Sequence, residues 1–268
     1  MKIRKGEIRD GRFIVPYRAY GEAPKTIVCV SGAQQTMAVW KSFVAYFCRD
    51  FTVVVFDLPG QGRSETLHGP AAVSLEEQVS ALGRVIKATN KNGPVHIAAA
   101  SWGTIVAAIY AARHPAAAEK IILGGFGVKP TEAMSAVIRD GKRLYDESGP
   151  EEVGKLIVER FGRDIPDSYK RRIIDQFRTM KQDKCLAFYA HCDFVESASD
   201  ITRFADLKNI QARTLIVNGE KDFILDAEDA AHAASLIRDC ELRIIPDVGH
   251  FLHFESAEIL SVYDAFLA

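Results

Sequence analysis

Three residues of this sequence, Ser101, Asp222 and His250, are of the types that together make a serine reactive. A serine hydroxyl is a weak nucleophile near neutral pH, so it needs a neighbouring base that accepts its proton. A histidine can supply that base, and a carboxylate can hold the imidazole in the correct tautomer. These residue types therefore predict attack on a carbonyl carbon through a covalent acyl intermediate.

Ser101 is the candidate nucleophile because of the pattern around it. It follows an apolar run, 95–100, and precedes a predicted helix, 104–113. A tight turn from a strand to a helix needs small residues two positions before and after the nucleophile. Gly103 satisfies the second position, and Ala99 stands where glycine is more usual. The alternative, a structural serine at the end of a strand, explains an isolated serine better than it explains this strand-turn-helix pattern.

His250 is the candidate base because it directly follows Gly249, in a loop between a predicted strand, 241–246, and the last helix. His253 is its competitor, three residues later. The structural alternative for either histidine is a position in the core or at a helix cap.

Asp222 is the candidate acid, in a loop that follows the predicted strand 213–219. Catalytic groups collect in such loops at the carboxyl ends of parallel strands. Asp226 and Asp229 are rivals, but their positions are typical of the cap and first turn of the next helix. The chain order of serine, aspartate and histidine matches one of the three common orders for such triads.

The oxyanion that forms during acyl transfer needs backbone N–H donors. We predict that Ala33 and Trp102 supply them, because 28–36 ends the first core strand in a glycine turn and Trp102 follows the nucleophile. The predicted substrate contacts around these groups are Gly32, Trp102, Phe223 and Phe251.

The elements that must position these residues indicate an α/β fold with a mostly parallel central sheet flanked by helices. Short, nearly continuous apolar runs are typical of strands buried on both faces of a parallel sheet. Helical stretches at 74–90 and 227–239 lie between such runs, which indicates βαβ units. We interpret "FDLPGQGRS" (56–64) as a structural turn. The predicted strands are 26–32, 51–57, 95–100, 120–126, 213–219 and 241–246.

The segment from 129 to 202 contains no predicted strand and is amphipathic and charged. Prolines stand at three positions where a helix can begin, which predicts four or five inserted helices. Their apolar side chains could line an acyl channel, but for most of them packing between helices is the favoured role. The predicted division is 1–128 for the first part of the core, 129–202 for a helical cap and 203–268 for the second part of the core.

Composition excludes several function classes. The 268 residues are 48% hydrophobic and carry a net charge of −1, which disfavours a nucleic-acid or polybasic membrane surface. No apolar run of about 18 residues could span a membrane, and the N-terminus lacks the apolar core of a signal peptide. Five cysteines without a paired motif indicate reduced thiols and a cytoplasmic location. No metal or cofactor is expected, and the oligomeric state is left open.

Together these motifs resemble the α/β-hydrolase superfamily across the whole chain. Ser31-Gly32, "FDLPGQGRS", "ASWG", "NGEKD" and "GHFL" occur in the order of that superfamily. A narrower resemblance, carried by "SGAQQTMAVW", "ASWGT", "EAMSAVI" and "GHFLHFES", is to a bacterial branch of 3-hydroxyacyl enzymes. That branch contains the rhamnolipid-pathway 3-(3-hydroxyalkanoyloxy)alkanoate synthase and the 3-hydroxyacyl-acyl-carrier-protein thioesterase or transacylase. The sequence departs from it at Ser31, at Thr104 and at 223–225.

The narrower resemblance implies a serine enzyme that acts on small acyl thioesters carried by acyl carrier protein or coenzyme A. Lys170, Arg171 and Arg172 belong to a stretch, 170–184, with six bases and two acids. They could dock an acidic carrier protein, although a solvated helix face is the favoured interpretation. Water as the acyl acceptor would give hydrolysis, and a hydroxyl of a second acyl chain would give a dimer.

Other function classes remain open. A carboxylesterase, a lactonase or a carbon–carbon bond hydrolase would use the same residues. A ligand receptor without catalysis is disfavoured because all three candidate triad residues are present. Haloalkane dehalogenation is excluded because it needs an aspartate where Ser101 stands.

Overall fold

A mixed β-sheet runs through the centre of the molecule in the computed structural model, which describes residues 2–90, 93–198 and 200–268. The strands are β1 (Ile3–Asp10), β2 (Phe13–Tyr20), β3 (Thr26–Val30), β4 (Thr52–Phe56), β5 (Glu65–Thr66), β6 (Val95–Ala100), β7 (Ala118–Gly124), β8 (Arg213–Gly219) and β9 (Cys240–Ile245). Their order across the sheet is β1-β2-β4-β3-β6-β7-β8-β9, and β5 pairs with β2.

The parallel part of the sheet comprises β3, β4 and β6 to β9. These strands coincide with the six predicted strands, with ends that differ by at most two residues. Every residue of β3 and β4 is buried, as expected for strands with apolar side chains on both faces. The predicted fold class, an α/β protein with a mostly parallel sheet, is therefore confirmed.

The hairpin of β1 and β2 was not predicted. It pairs antiparallel through a turn at Gly11, and β2 joins it to β4, also antiparallel. Only one face of β2 is well buried, through Phe13, Val15 and Ala19. Five of the eight residues of β1 are charged, and β2 is interrupted by Pro16 and Arg18. The segment therefore lacks the continuous apolar run that identifies the parallel strands.

Helices cover both faces of the sheet and fill the connection between β7 and β8. They are α1 (Lys41–Phe47), α2 (Leu75–Thr89), α3 (Trp102–Arg113), α4 (Glu132–Ser148), α5 (Pro150–Phe161), α6 (Asp167–Arg178), α7 (Gln182–Ser197), α8 (Ala227–Leu236), α9 (Leu252–Glu255) and α10 (Glu258–Leu267). α3 begins two residues earlier than predicted, and α8 ends three residues earlier.

Two hydrophobic clusters lie on opposite faces of the sheet. Val28 and Val30 of β3 belong to the cluster beneath α2 and α3, whereas Ile27 and Cys29 belong to the cluster beneath α1 and α10. This division follows from strand geometry, because successive side chains point to opposite faces. Burial on both faces holds the carboxyl ends of the parallel strands at one common edge.

The segment 129–202 forms four helices, α4 to α7, and its described residues contain no strand. Pro150 is the first residue of α5, and Pro166 directly precedes α6. Pro130 stands before Thr131, whose side chain caps α4. The fixed φ of proline and its missing N–H suit these positions at helix starts.

All five cysteines are free thiols, and three of them are buried. Within the described ranges, no helix is both long and apolar enough to cross a bilayer. The same ranges contain no group of three or more histidine, cysteine, aspartate or glutamate side chains that could hold a metal ion.

Gly103 provides a test of the contact between α3 and β3. A Cβ at this position would lie 2.4 Å from the carbonyl oxygen of Val30 and 2.7 Å from that of Ser31. We expect Gly103→Ala to lower the free energy of unfolding by about 3 kcal/mol, or Tm by roughly 6–12 °C, because these backbone atoms belong to the packed core. Calorimetry measures the change.

Gly141→Ala is the matched control, because Gly141 lies within α4 and the nearest atom to its added Cβ, Leu156 Cδ2, is 3.7 Å away. It should leave Tm unchanged or raise it slightly, since alanine favours helix. Equal losses of Tm in the two variants would contradict the close contact at Gly103.

Candidate active site

Ser101 occupies the turn between β6 and α3 in a conformation that L-residues rarely adopt, with φ 49° and ψ −125°. Such backbone strain costs about 1–3 kcal/mol and persists only where the surroundings impose it. Here the Ser101 N–H donates to Gly124 O at 2.8 Å, and the Thr104 hydroxyl donates to Ser101 O at 2.5 Å. A Cβ at Gly32 would lie 3.0 Å from Ser101 Cβ, so a small residue is needed on that side too.

His250 and Asp222 meet Ser101 at the common edge of the parallel strands. His250 Nε2 is 2.9 Å from Ser101 Oγ, and His250 Nδ1 is 2.7 Å from Asp222 Oδ2. The side chains of Asp222 and His250 are 1% and 8% exposed. With its proton on Nδ1, His250 donates to the carboxylate and accepts from the Ser101 hydroxyl. This arrangement can activate a serine oxygen for attack on a carbonyl carbon.

Opposing effects act on the pKa of His250. Burial lowers that pKa, but the charge of Asp222 and the hydrogen bond to it raise it, and the charge of Glu255 adds to the rise. The net pKa lies above the ordinary value for histidine. The carboxylate thus favours the imidazolium that forms when His250 takes a proton.

His253, the competing base, lies in the core instead. Its ring packs edge-on against Trp40 and Tyr263, each with ring centroids 5.3 Å from its own. Burial lowers the pKa of His253 to about 4. The ring is therefore neutral at physiological pH.

The competing acids have structural roles. Asp226 caps α8 by accepting a hydrogen bond from the N–H of Asp229 at 2.8 Å. Asp229 Oδ2 accepts from the N–H groups of Val128 and Lys129, at 2.7 and 3.2 Å. Asp226 thus fixes the start of α8, and Asp229 fixes the backbone that leads to α4.

Ala33 and Trp102, the predicted oxyanion donors, both line the cavity above Ser101. Neither N–H donates a hydrogen bond to any residue that the structure describes. By contrast, the neighbouring N–H groups of Gly32 and Gln34 donate to glutamine side chains at 2.9 and 3.0 Å. The free pair of donors is what a developing oxyanion requires.

Gln61 holds the loop that carries Ala33, a role that the sequence did not reveal. Its Nε2 donates to the carbonyl oxygens of Gly32 and Gln35, both at 2.9 Å, and its Oε1 accepts from Gln34 N–H at 3.0 Å. Gln61 belongs to the turn 56–64, which was interpreted as structural only. Its one signal in the sequence is an amide side chain inside that glycine-rich turn.

Glu255 holds the loop that carries His250 and was also missed. Its carboxylate accepts from the N–H groups of Gly249, at 2.5 Å, and Phe251, at 2.9 Å, the two neighbours of His250 in the chain. The signal for this role is an acidic residue five positions after the candidate base. Glu255 thus fixes the backbone on both sides of the imidazole.

A cavity of about 310 Å³ lies between Ser101 and the helices α4 to α7. Although packing between helices was the favoured role for most apolar residues of this segment, many of them line the cavity. They include Met134, Val137, Ile138, Leu156, Ile157, Phe161, Ile173, Phe177, Phe188, Tyr189 and Phe194. The wall can therefore bury an apolar chain whose carbonyl carbon reaches Ser101.

The predicted substrate contacts fall into two groups. Trp102 and Phe251 line the cavity. Gly32 and Phe223 are not part of its wall. Phe223 is 42% exposed, and its ring centroid lies 5.3 Å from that of Phe161. The conformations of the loops decide which of these four residues reach the cavity, and the sequence pattern did not indicate those conformations.

The basic stretch 170–184 is only partly a free surface. Lys170 Nζ donates to the carbonyl oxygen of Arg163 at 3.0 Å, and half-buried Lys184 donates to that of Ser64. The guanidinium of Arg172 lies 5.6 Å from the ring centroid of Tyr169. Arg171 is exposed.

Comparison with known proteins identifies relatives along most of the chain. Residues 27–261 match the sequence model of the alpha/beta hydrolase family. Over 247 residues the chain is 24% identical to an (R)-3-hydroxydecanoyl-ACP:CoA transacylase of Pseudomonas putida, which covers 90% of this chain and 83% of that protein.

Two further proteins are similar over nearly the whole chain. A 2-hydroxy-6-oxononadienedioate/2-hydroxy-6-oxononatrienedioate hydrolase of Pseudomonas putida is 26% identical over 271 residues, which cover 96% of this chain and 91% of that protein. A solved alpha/beta hydrolase from a deep-sea metagenome library has a TM-score of 0.83 at 17% identity, covering 98% of this chain and 97% of that one. The solved structure supports the fold alone.

The charge of Asp222 gives a prediction about the titration of His250. In Asp222→Asn the burial that lowers the His250 pKa remains, but the carboxylate that raises it is gone. We therefore expect the pKa of His250 to fall, so that the imidazole becomes neutral at a lower pH than in the wild type. NMR titration of the histidine ring protons measures the shift.

His253 is the internal control for that titration, because its low pKa arises from burial alone. Its titration should be the same in the wild type and in Asp222→Asn. An unchanged His250 pKa in the variant would contradict the electrostatic coupling.

Proposed function

Because this chain belongs to the α/β-hydrolase family, we propose that it is a serine acyl-transfer enzyme acting through an acyl-enzyme on 3-hydroxyacyl thioesters. Ser101 is the proposed nucleophile, His250 the base and Asp222 the acid that orients it. The observation that carries the proposal is the chain of contacts from Asp222 Oδ2 through His250 to Ser101 Oγ, at 2.7 and 2.9 Å, beneath an apolar cavity.

In the first half-reaction, His250 Nε2 removes the hydroxyl proton of Ser101 as the serine oxygen attacks the thioester carbonyl carbon. The N–H groups of Ala33 and Trp102 donate to the oxyanion, and each such donor lowers a barrier of this kind by about 3 kcal/mol. When the tetrahedral intermediate collapses, the carbon–sulfur bond breaks. Protonated His250 then gives its proton to the leaving sulfur.

In the second half-reaction, an acceptor attacks the ester carbon of acylated Ser101. His250 removes the proton of that acceptor as the acceptor–carbon bond forms. When the second tetrahedral intermediate collapses, the bond between the serine oxygen and the acyl carbon breaks, and His250 returns the proton to that oxygen. Water yields the free acid, a hydroxyl yields a new ester, and a carrier thiol yields a new thioester. Since the triad performs the same steps for each acceptor, the product identifies which one is used.

Two observations support a long acyl substrate. The cavity wall above Ser101 is mostly apolar, which suits a hydrocarbon chain. The Pseudomonas putida relative is named for transfer of a 3-hydroxydecanoyl group between acyl carrier protein and coenzyme A. We further propose that 129–202 is a cap that closes this acyl site, since this segment supplies more than half of the residues in its wall.

Carbon–carbon bond hydrolysis is the second candidate, supported by the 26% identity to the dienedioate hydrolase. That relative's named substrate carries two carboxylates, whereas the cavity here is walled mainly by hydrocarbon side chains. Burying an unpaired carboxylate among them would be costly. A generic carboxylesterase would use the same proposed triad, and the substrate series below, which includes short p-nitrophenyl esters, tests for that activity.

Replacing the proposed nucleophile tests the acyl-enzyme. We expect Ser101→Ala to lower kcat on 3-hydroxydecanoyl-CoA by about 10³–10⁶-fold, because the covalent intermediate cannot form. Mass spectrometry of the wild type during turnover should detect an acyl adduct on the Ser101 peptide. Ser80→Ala, which removes an exposed hydroxyl on α2, is the control and should retain full activity.

The same assay, repeated with four other substrates, separates the candidate functions. These are the carrier-protein thioester, decanoyl-CoA, short p-nitrophenyl esters and a 2-hydroxy-6-oxo dienoate. Preference for the 3-hydroxyacyl thioesters supports the proposal, whereas preference for the dienoate supports carbon–carbon hydrolysis. Turnover that survives Ser101→Ala would refute the assignment of the nucleophile.

The basic surface at Arg171 and Arg172 gives a separate prediction about carrier proteins. Because Arg172 packs on Tyr169 and Lys170 is bonded within its own segment, we expect this to be a solvated helix face. The double variant Arg171→Ser, Arg172→Ser should then change KM by less than about twofold, both for the carrier-protein thioester and for a small ester.

Arg9→Ser, on the exposed strand β1, is the matched control for lost positive charge. A rise in KM confined to the carrier thioester in the double variant, and missing in the control, would instead identify a docking surface.

A further inference from the structure

His191 of α7 is a polar side chain in the wall of the cavity. Its ring lies edge-on against Trp102, with 4.3 Å between ring centroids and planes at 78°. Trp102 directly follows Ser101, so His191 contacts the residue next to the proposed nucleophile. Phe188 and Phe194 flank the same pair of rings.

Other wall side chains of α4 to α7 that bear nitrogen or oxygen have partners within the protein. Lys142 binds Asp193, Tyr145 bonds to Cys185, Gln176 donates to a backbone carbonyl and Tyr189 donates to Asp146. For His191, no hydrogen bond to either ring nitrogen is found in the described part of the chain. The His191 side chain is only partly buried and lines the cavity, so a ligand in the cavity can reach its ring nitrogens and supply the missing hydrogen bond.

The protonation state of His191 narrows the chemistry of that ligand. Burial lowers the pKa of His191 to about 4. The ring is then neutral at physiological pH and has one N–H donor and one acceptor nitrogen. A hydroxyl group, which also donates and accepts, matches such a ring, whereas a methylene chain offers it no hydrogen bond.

We propose that His191 binds a hydroxyl group carried by the acyl chain of the substrate. The residue determines specificity and takes no part in proton transfer at Ser101. The inference rests on the proposed acyl-transfer function, because that function places an acyl chain in the cavity. The hydrogen bond to His191 gives a physical reason why the cavity would bind a hydroxyacyl chain more tightly than an acyl chain without a hydroxyl.

Binding measurements test this role without depending on turnover. Calorimetry on the Ser101→Ala background compares Kd for octanamide and 3-hydroxyoctanamide, two uncharged mimics of an acyl chain. We expect tighter binding of the hydroxylated amide, and His191→Leu should reduce that preference about tenfold, the usual worth of one hydrogen bond between partly buried groups. His191→Gln keeps a donor and an acceptor and should restore part of the preference.

Phe194→Leu is the matched control, because Phe194 also packs against Trp102, with ring centroids 5.9 Å apart, but carries no polar atom. It should weaken binding of both amides equally and leave the preference intact. Because the preference compares two ligands on one variant, loss of folded protein does not change it.

Two results would overturn the assignment of His191. One is equal affinity for the two amides before any change at position 191, and the other is an equal loss of both affinities in His191→Leu. Failure of the proposed acyl-transfer function would give a different result. Turnover would then survive Ser101→Ala, while the affinities for the two amides would be unaffected.

Discussion

The hydrogen bond between His250 and Asp222 is the interaction on which the organisation of this site depends. An imidazole and a carboxylate that are almost fully buried would be destabilising apart, and together each stabilises the other. The bond joins loops that follow β8 and β9, so it can form only when both strands hold their parallel register. At Gly219 the end of β8 approaches the carbonyl oxygen of Val248 so closely that a Cβ would lie 2.2 Å from it.

Backbone contacts around the triad are maintained by side chains outside it. Glu255 binds the N–H groups on both sides of His250, and Gln61 binds three backbone groups of the loop that carries Ala33. Gln176 of α6 donates to the carbonyl oxygen of Gln34 in that same loop. Gln176 thus connects the helices that wall the cavity directly to the loop that carries Ala33, one of the proposed oxyanion donors.

The relatives of this chain are named for different activities, including a transacylase and a dienedioate hydrolase. One arrangement of serine, histidine and aspartate at the edge of a parallel sheet can serve several reactions, so the proposed triad alone does not select the substrate. Under the proposed function, selection belongs to the cavity wall, to which α4 to α7 contribute. In this protein that wall is mostly hydrocarbon, with a few polar side chains such as His191 at defined places.

The sequence by itself determined the parallel sheet, a segment of four or five helices where the structure has four between β7 and β8, and the three residues that the structure brings within hydrogen-bond distance. These features have local causes: continuous apolar runs for strands buried on both faces, prolines at helix starts, and small residues around Ser101. The choice of His250 over His253 was also local, because the first follows a glycine loop and the second lies within α9, facing the core.

Only the tertiary structure decided which side chains face the cavity and which support the loops. Many apolar residues of the helical segment line the cavity, Phe223 faces outward, and Gln61 bonds to a loop 26 to 29 residues away in sequence. Periodicity indicates that a helix has an apolar face, but the rotation and crossing of neighbouring helices determine what that face meets. Contacts between distant segments depend on the assembled sheet, and no local pattern encodes them.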